Sequence, residues 1–335
     1  MRTVTVLGAG SWGTALAIHL SRVGHDVRLW ARDESLVREM RSRRANAIYL
    51  PDITLPDRLL VTGALDDAVG EAEIVVASIP SHGCRAVLRA ASGLIKPRAT
   101  IVSTAKGLET ETLLRMSEVV EEELGPDRPV VALSGPSFAI EVAQQRPTAV
   151  LAASRVREAA HLIQVEFRGP HLRLYGSDDV VGVEIGGALK NVIAIAAGVV
   201  DGLNLGHNAL AALITRGLAE ITRLACAAGA HRETLSGLSG LGDLVLTCTD
   251  SLSRNRHVGV ELARGRALAD ILAGMKMVAE GVRTTTVALA LGARHDVELP
   301  IAAQMAEVLA GRCDVRGAVE ALMLRPQRSE AEAIG

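Results

Sequence analysis

The chain has 335 residues, 49% of them hydrophobic and 22% charged, with a net charge of −2 and a mean hydropathy of +0.27. These values exclude a disordered chain and a strongly basic nucleic-acid binder, and the length predicts about two domains. The four cysteines, Cys84, Cys226, Cys248 and Cys313, lack CxxC or Cys/His metal spacing. They read as free thiols in a reducing compartment, and no metal is expected. The opening MRTVTVLGAG passes from a strand pattern into glycines, so no signal peptide and a cytoplasmic location are expected.

The first half alternates strand and helix signals. Residues 3–8 (TVTVLG) read as a strand, 13–22 as a helix, 26–30 (DVRLW) as a strand and 34–44 as a charged helix. Further β-branched runs lie at 73–80, 99–104 and 129–135, separated by helical patterns, and late strands are expected at 148–154 and 171–177. This alternation predicts a doubly wound parallel sheet. Beyond Val180 strand signals nearly vanish, and helical periods run over 184–200, 208–229, 256–265, 267–274, 284–292 and 300–310. The expected division is a nucleotide-binding domain over 1–180 and an all-helical substrate-binding and catalytic domain over 181–325. The polar tail RPQRSEAEAIG is expected to fray.

Gly8-Ala9-Gly10-Ser11-Trp12-Gly13 is a GxGxxG directly after a strand and before a helix, the context that points to a dinucleotide. Gly8 allows the tight turn, Gly10 lets the pyrophosphate approach the backbone, and Gly13 lets helix and strand pack closely. The helix start offers amides and a positive dipole end to the phosphates. After the second strand come Arg32 and Asp33. Arg32 can grip a 2′-phosphate, which favours NADP(H). Asp33 can take a ribose hydroxyl, which keeps NAD(H) open.

In IGGALKNVIAIAAGVV (185–200) nearly every face is apolar or small, the pattern of a helix surrounded by protein, yet it carries Lys190. The segment is short for a membrane span, so a buried helix of a protein without membrane insertion is expected. Either Lys190 snorkels to water along its stem or the helix holds an ammonium inside for a purpose. The stretches SIPSHG (78–83), STAKGLE (103–109) and SGPSFAIEV (134–142) begin where strands end, where open α/β sheets bind ligands. Lys106 sits in the second of them between Ala105 and Gly107. A fourth stretch, 238–256, contains Asp243 and Ser253-Arg254-Asn255. The last three read as an N-cap and first turn able to hold a phosphate.

GALKNVIAIAAGVVDGLNLGHN (187–208) resembles the signature of the NAD(P)-dependent glycerol-3-phosphate dehydrogenases, bacterial type. GAGSWGTALA, STAKGLE, GPSFAIEV, GLGDLVLTC, SRNR and VAEGVRTT resemble that family's other blocks in the same order, from Val4 to about Leu324. The resemblance implies a Rossmann domain followed by an all-α domain of the 6-phosphogluconate dehydrogenase-like kind. It implies Lys190 as catalytic acid/base, Lys106 as the residue that orients the substrate and also meets the cofactor, and Asp243 bonded to the lysines or to a substrate hydroxyl. It further implies substrate contacts from Gly135, Ser137, Asn191, Thr247, Ser253, Arg254 and Asn255, with Asn191 fixing the direction of Lys190. Cofactor contacts are implied at Gly8, Gly10, Ser11, Trp12, Gly13, Arg32, Ala139, Arg254, Val278 and Glu280. The implied substrates are dihydroxyacetone phosphate and sn-glycerol 3-phosphate, the latter for phospholipid synthesis, and a homodimer is compatible with the apolar helices. A related two-domain hydroxyacid dehydrogenase and a catalytically silent dinucleotide sensor remain as alternatives at this level.

Overall fold

The β-branched runs of the first half pair into one eight-stranded sheet. The structure is a computed structural model that describes residues 1–275, 277–327 and 329–330, so part of the polar tail lies outside the described residues. Two compact units emerge, Met1–Ala105 with Met116–Val180, and Lys106–Arg115 with Val181–Gly335.

In the first unit the strands are β1 (Thr3–Leu7), β2 (Asp26–Trp30), β3 (Ala45–Asn46), β4 (Leu50–Thr54), β5 (Leu60–Thr62), β6 (Ile74–Ala77), β7 (Thr100–Ser103), β8 (Val130–Ser134), β9 (Thr148–Ala153) and β10 (Leu172–Ser177). The sheet order is β10-β9-β8-β7-β6-β1-β2-β5, with β3 and β4 forming a separate hairpin. Strands β6, β7 and β8 are buried at every position, as strands covered on both faces are. Val4, Val6, Val27 and Leu29 pack there with Leu16 and Leu20 of the helix Ser11–Arg22.

From β5 through β8 the sheet is parallel as expected, but β8 pairs with β9 antiparallel, and β10 follows β9. The link 135–147 explains the departure. It holds only the five-residue helix Ala139–Ala143, less than a parallel crossover usually takes, and it turns through positive φ at Gly135 and Gln145. The sequence reading also passed over the edge strand β5 and the β3–β4 hairpin, which are too short to show a period.

The second unit is helical among its described residues, and it departs from the expected domain line by taking in residues 106–115. Leu108 belongs to the second unit's core, and Arg115 Nη1 pairs with the buried Glu184 at 3.2 Å. One apolar side chain and one desolvated ion pair decide which core a short segment joins, and neither shows in local sequence. The central helix, Val180–Gly202, has 23 residues and so is longer than the sequence suggested. It is long and apolar enough to cross a membrane, and 94% of its apolar window is buried inside the protein. The helix Arg254–Ala263 crosses it at Gly198 and Gly259, where any Cβ would stand about 2 Å from a backbone oxygen of the other helix. The period-based reading missed the helices Arg232–Leu235, Asp243–Thr249 and Val315–Met323.

Glu220 is buried in this unit and accepts the amides of Ile301 (2.5 Å) and Ala302 (3.3 Å) at the start of the helix Pro300–Leu309. Burial pushes its carboxyl up from 4.5 to about 7, against the pull of those two amides. The native state therefore binds this proton more tightly than the unfolded chain between those values. Its stabilising contribution, up to about 3 kcal/mol, is present below pH 4.5 and lost as pH rises through 7. Thermal melts of wild type and Glu220→Gln from pH 5 to 8 are expected to converge at low pH and to diverge as wild type loses stability above it. Parallel melting curves across the range would remove Glu220 as the cause.

Candidate active site

Lys190 lies on the central helix with 4% of its surface exposed, so the snorkelling alternative does not hold. A π-helical turn, Leu238–Gly242, leads into the helix Asp243–Thr249 and sets Asp243 against it. The approach depends on missing side chains. A Cβ on Gly240 would meet Leu235 O at 2.0 Å, and one on Gly186 would meet Ser239 O at 3.2 Å. Gly186 precedes Lys190 by four residues on the same helical face, so closeness at the glycine becomes a bond at the lysine.

Asp243, 1% exposed, uses both carboxylate oxygens. Lys190 Nζ donates to Oδ1 at 2.5 Å, and Lys106 Nζ donates to Oδ2 at 2.7 Å. The aspartate thus serves the lysines and not, as a capping aspartate would, its own helix start. Thr247 Oγ1 donates to the Asp243 carbonyl at 2.6 Å, which turns a lone pair toward Lys190 Nζ, also at 2.6 Å. Burial pulls the Lys190 ammonium down to about 8; Asp243 opposes the shift and Lys106 adds to it. Beside it, burial pushes the Cys248 thiol up to about 12, which leaves it unreactive.

Asn191 was expected to direct Lys190, and its bonds go elsewhere. Its Nδ2 donates to Lys106 O, while its Oδ1 accepts from Asn255 Nδ2, both at 2.9 Å. Asn255 Oδ1 in turn accepts the Gly281 amide at 2.9 Å, where a Cβ on Gly281 would stand 2.5 Å from Asn191 O. A helix residue and its neighbour point in different directions, so Asn191 braces the Lys106 backbone through this amide chain. Gly281 was not singled out from the sequence, although it stands in the VAEGVRTT block. Ser253 caps the helix Arg254–Ala263 by accepting from Arg256 N at 3.2 Å, and Arg254 stays exposed in the first turn. Val278 is exposed, and Glu280 opens the helix Glu280–Arg294.

In the first unit Gly8 turns with φ +108, and a Cβ on Gly13 would stand 1.9 Å from Gly8 O. At Gly10, which caps the helix Ser11–Arg22, a Cβ would meet nothing within 4 Å, so the backbone lies open. Ser11 Oγ donates to Tyr49 O, and Trp12 Nε1 is buried without a hydrogen-bond partner among the described residues. An open glycine backbone at a helix start, with an orphaned donor beside it, fits a dinucleotide. Arg32 is exposed, and no ion pair or hydrogen bond engages its side chain among the described residues. Asp33 is engaged through one oxygen: its Oδ1 caps the helix Glu34–Arg43 by accepting from Ser35 N, Ser35 Oγ and Leu36 N. Gly135 turns at φ +132 with Ser137 Oγ donating to its carbonyl at 2.9 Å, and Ala139 opens the helix Ala139–Ala143. No group of His, Cys, Asp and Glu able to hold a metal occurs among the described residues.

Two family profiles match the chain, described as the NAD-dependent glycerol-3-phosphate dehydrogenase N-terminus over residues 3–160 and C-terminus over residues 179–320. A protein of Koribacter versatilis named glycerol-3-phosphate dehydrogenase (NAD(P)+) is 55% identical over 279 residues, covering 82% of this chain and 83% of its own. A protein of the same name from Syntrophotalea carbinolica is 52% identical over 276 residues, with 82% and 83% covered. Among solved structures, the glycerol-3-phosphate dehydrogenase of Coxiella burnetii superimposes with a TM-score of 0.93 at 40% identity, over 97% of this chain and 99% of its own. With both halves matched in order and the lysine pair joined on one carboxylate, the chain belongs to the NAD-dependent glycerol-3-phosphate dehydrogenase family.

Proposed function

We propose that this protein interconverts dihydroxyacetone phosphate and sn-glycerol 3-phosphate with NAD(P)(H), Lys190 serving as general acid and base. The observation that carries this reading is the desolvated Lys190 held at 2.5 Å by a carboxylate that also holds Lys106. If both lysines are protonated, the cluster carries one positive charge more than Asp243 cancels, and an electron-rich carbonyl oxygen is the group it attracts. Lys190, titrating near 8, can give a proton to that oxygen near neutral pH and take it back in the reverse direction. Lys106 polarises and orients the carbonyl, and the Asn191–Asn255 chain holds its backbone still. Asp243 keeps both ammonium groups aimed, and Thr247 completes the donor geometry around Lys190.

Ser253, Arg254 and Asn255 are the proposed phosphate anchors. Arg254 supplies a guanidinium fork, and the helix start supplies amides. The carbonyl side of Asn255 is taken by Gly281, so its share falls to the second Nδ2 hydrogen. Gly135 and Ser137 are proposed as further substrate contacts. The glycine turn with Ser11 and Trp12 is proposed to hold the dinucleotide, with Ala139, Val278 and Glu280 as further contacts. When bound, the nicotinamide supplies the hydride to the carbonyl carbon, or accepts it in reverse. The free Arg32 and the engaged Asp33 support NADP(H) as the preferred form, with NAD(H) still usable.

Oxidation of NADPH by the purified protein should require dihydroxyacetone phosphate, and no turnover with either cofactor would overturn the reading. Lys190→Met keeps the packing volume of a buried helix, so folding and NADPH binding should persist while turnover falls about 10²–10⁴-fold. In wild type the ketone-reducing rate should decline as pH rises through about 8 and the alcohol-oxidising rate should climb. Both limbs should vanish in the variant. A Lys190→Met protein within a few-fold of wild type would pass the proton to Lys106. Arg32→Ala should weaken NADPH about tenfold with little effect on NADH, and equal losses would show that Arg32 does not read the 2′-phosphate. Arg254→Ala should raise the apparent KM for dihydroxyacetone phosphate far more than that for dihydroxyacetone. Equal effects on the two would make Arg254 structural.

A further inference from the structure

Away from the glycine turn, the first unit has a cavity of 530 Å³ at the free edge of its sheet. Arg28 of β2, Arg41 in the last turn of the helix Glu34–Arg43 and Arg44 just beyond that helix line it, together with Leu60 of β5 and Asp67. Main-chain carbonyls hold all three guanidinium groups. Arg28 donates to Asp67 O, Arg41 Nε to Val61 O at 2.7 Å, and Arg44 to Leu59 O at 3.2 Å and to Pro56 O. None of the three is ion-paired with a carboxylate among the described residues, although Glu71 feels the charge of Arg28 at longer range. A carbonyl fixes a guanidinium plane without cancelling its charge, and each fork keeps N–H donors to spare. Three cations here face one lining acid, Asp67. Leu60 is 53% exposed beside them, a large apolar surface on an edge strand.

The cavity is separate from the dinucleotide turn. No residue of 8–13 lines it, and the register Arg28↔Leu60 sets both two residues back from the carboxyl ends of their strands, where nucleotides bind, with Thr62 alone lining it at that end. Arg41 and Arg44 lie at the far end of a ten-residue helix, about 15 Å from its start after Arg32.

We propose that this cavity is a second anion site, which takes a phosphate monoester carrying an apolar group, the phosphate in the arginine forks and the apolar group against Leu60. Fixed, unneutralised guanidinium groups suit a phosphate because its oxygens match their planar forks. The test is calorimetric titration of the full-length protein with hexyl phosphate and with inorganic phosphate, carried out in the Arg254→Ala background to silence the proposed substrate site. Hexyl phosphate should bind more tightly than inorganic phosphate. Arg41→Gln should weaken it about tenfold and leave the KM for dihydroxyacetone phosphate unchanged in the otherwise wild-type enzyme. Asp67→Asn keeps the main-chain carbonyl that holds Arg28 and removes the opposing charge, so it should tighten binding, a change that misfolding cannot mimic. Flotation with phosphatidic acid vesicles tells a lipid headgroup from a soluble ester as the source of the phosphate. If neither hexyl phosphate nor the vesicles respond to Arg41→Gln and Asp67→Asn, the cavity is not an anion site and the proposal fails.

Discussion

The second unit is organised by one requirement, that an ammonium group inside a packed apolar helix must have a carboxylate. Lys190 has lost nearly all its water, and an unpaired charge there would neutralise itself or disrupt the fold. Asp243 meets the need with one oxygen and offers the other to Lys106. Three segments far apart in the chain are therefore tied to one side chain. That tie adds to Leu108 and the Arg115–Glu184 pair in holding residues 106–115 to the helical core, and it is reached because the bare glycine contact lets the π-helical turn approach the central helix.

Such a cluster is a poor way to gain stability, since desolvating ions usually costs about as much as their attraction returns. Its value lies in what it does to the lysine. Burial lowers the Lys190 pKa toward the pH of a cell, and the shared carboxylate stops the fall near 8. A lysine at the surface would stay protonated and could not take a proton back. One without Asp243 would lose the carboxylate that opposes this fall. The amide chain from Gly281 through Asn255 and Asn191 to Lys106 holds the second ammonium by its backbone, so Lys106 owes its place to main-chain geometry as well as to charge.

The first unit works differently, because its proposed ligand contacts are largely backbone. The glycine turn needs only absent side chains and a helix start, a demand that reads directly from spacing. Its edge shows a second use of arginine. Through carbonyls, Arg41 and Arg44 stitch β5 and the loop before it to the helix Glu34–Arg43, and Arg28 stitches β2 to the helix Leu65–Val69, and the charge left over faces solvent at the free edge of the sheet.

Much of this protein was legible in its sequence. Alternating β-branched runs announced the sheet, the GxGxxG after a strand announced a tight strand-to-helix turn, and a lysine within a nearly all-apolar helical period posed the choice between a snorkelling and a buried ammonium. These signals are local, since each depends on residues within a turn or two of one another. Tertiary structure alone decided that Asp243 bridges two lysines, that Asn191 braces Lys106 and not Lys190, and that β9 runs against β8. Each of these outcomes is set by which groups meet across dozens of residues, or by how a short link turns, and periodicity carries no information about either. Burial then turned an ordinary amine into one that titrates near 8, because a pKa belongs to a group's surroundings and those exist only once the chain has folded.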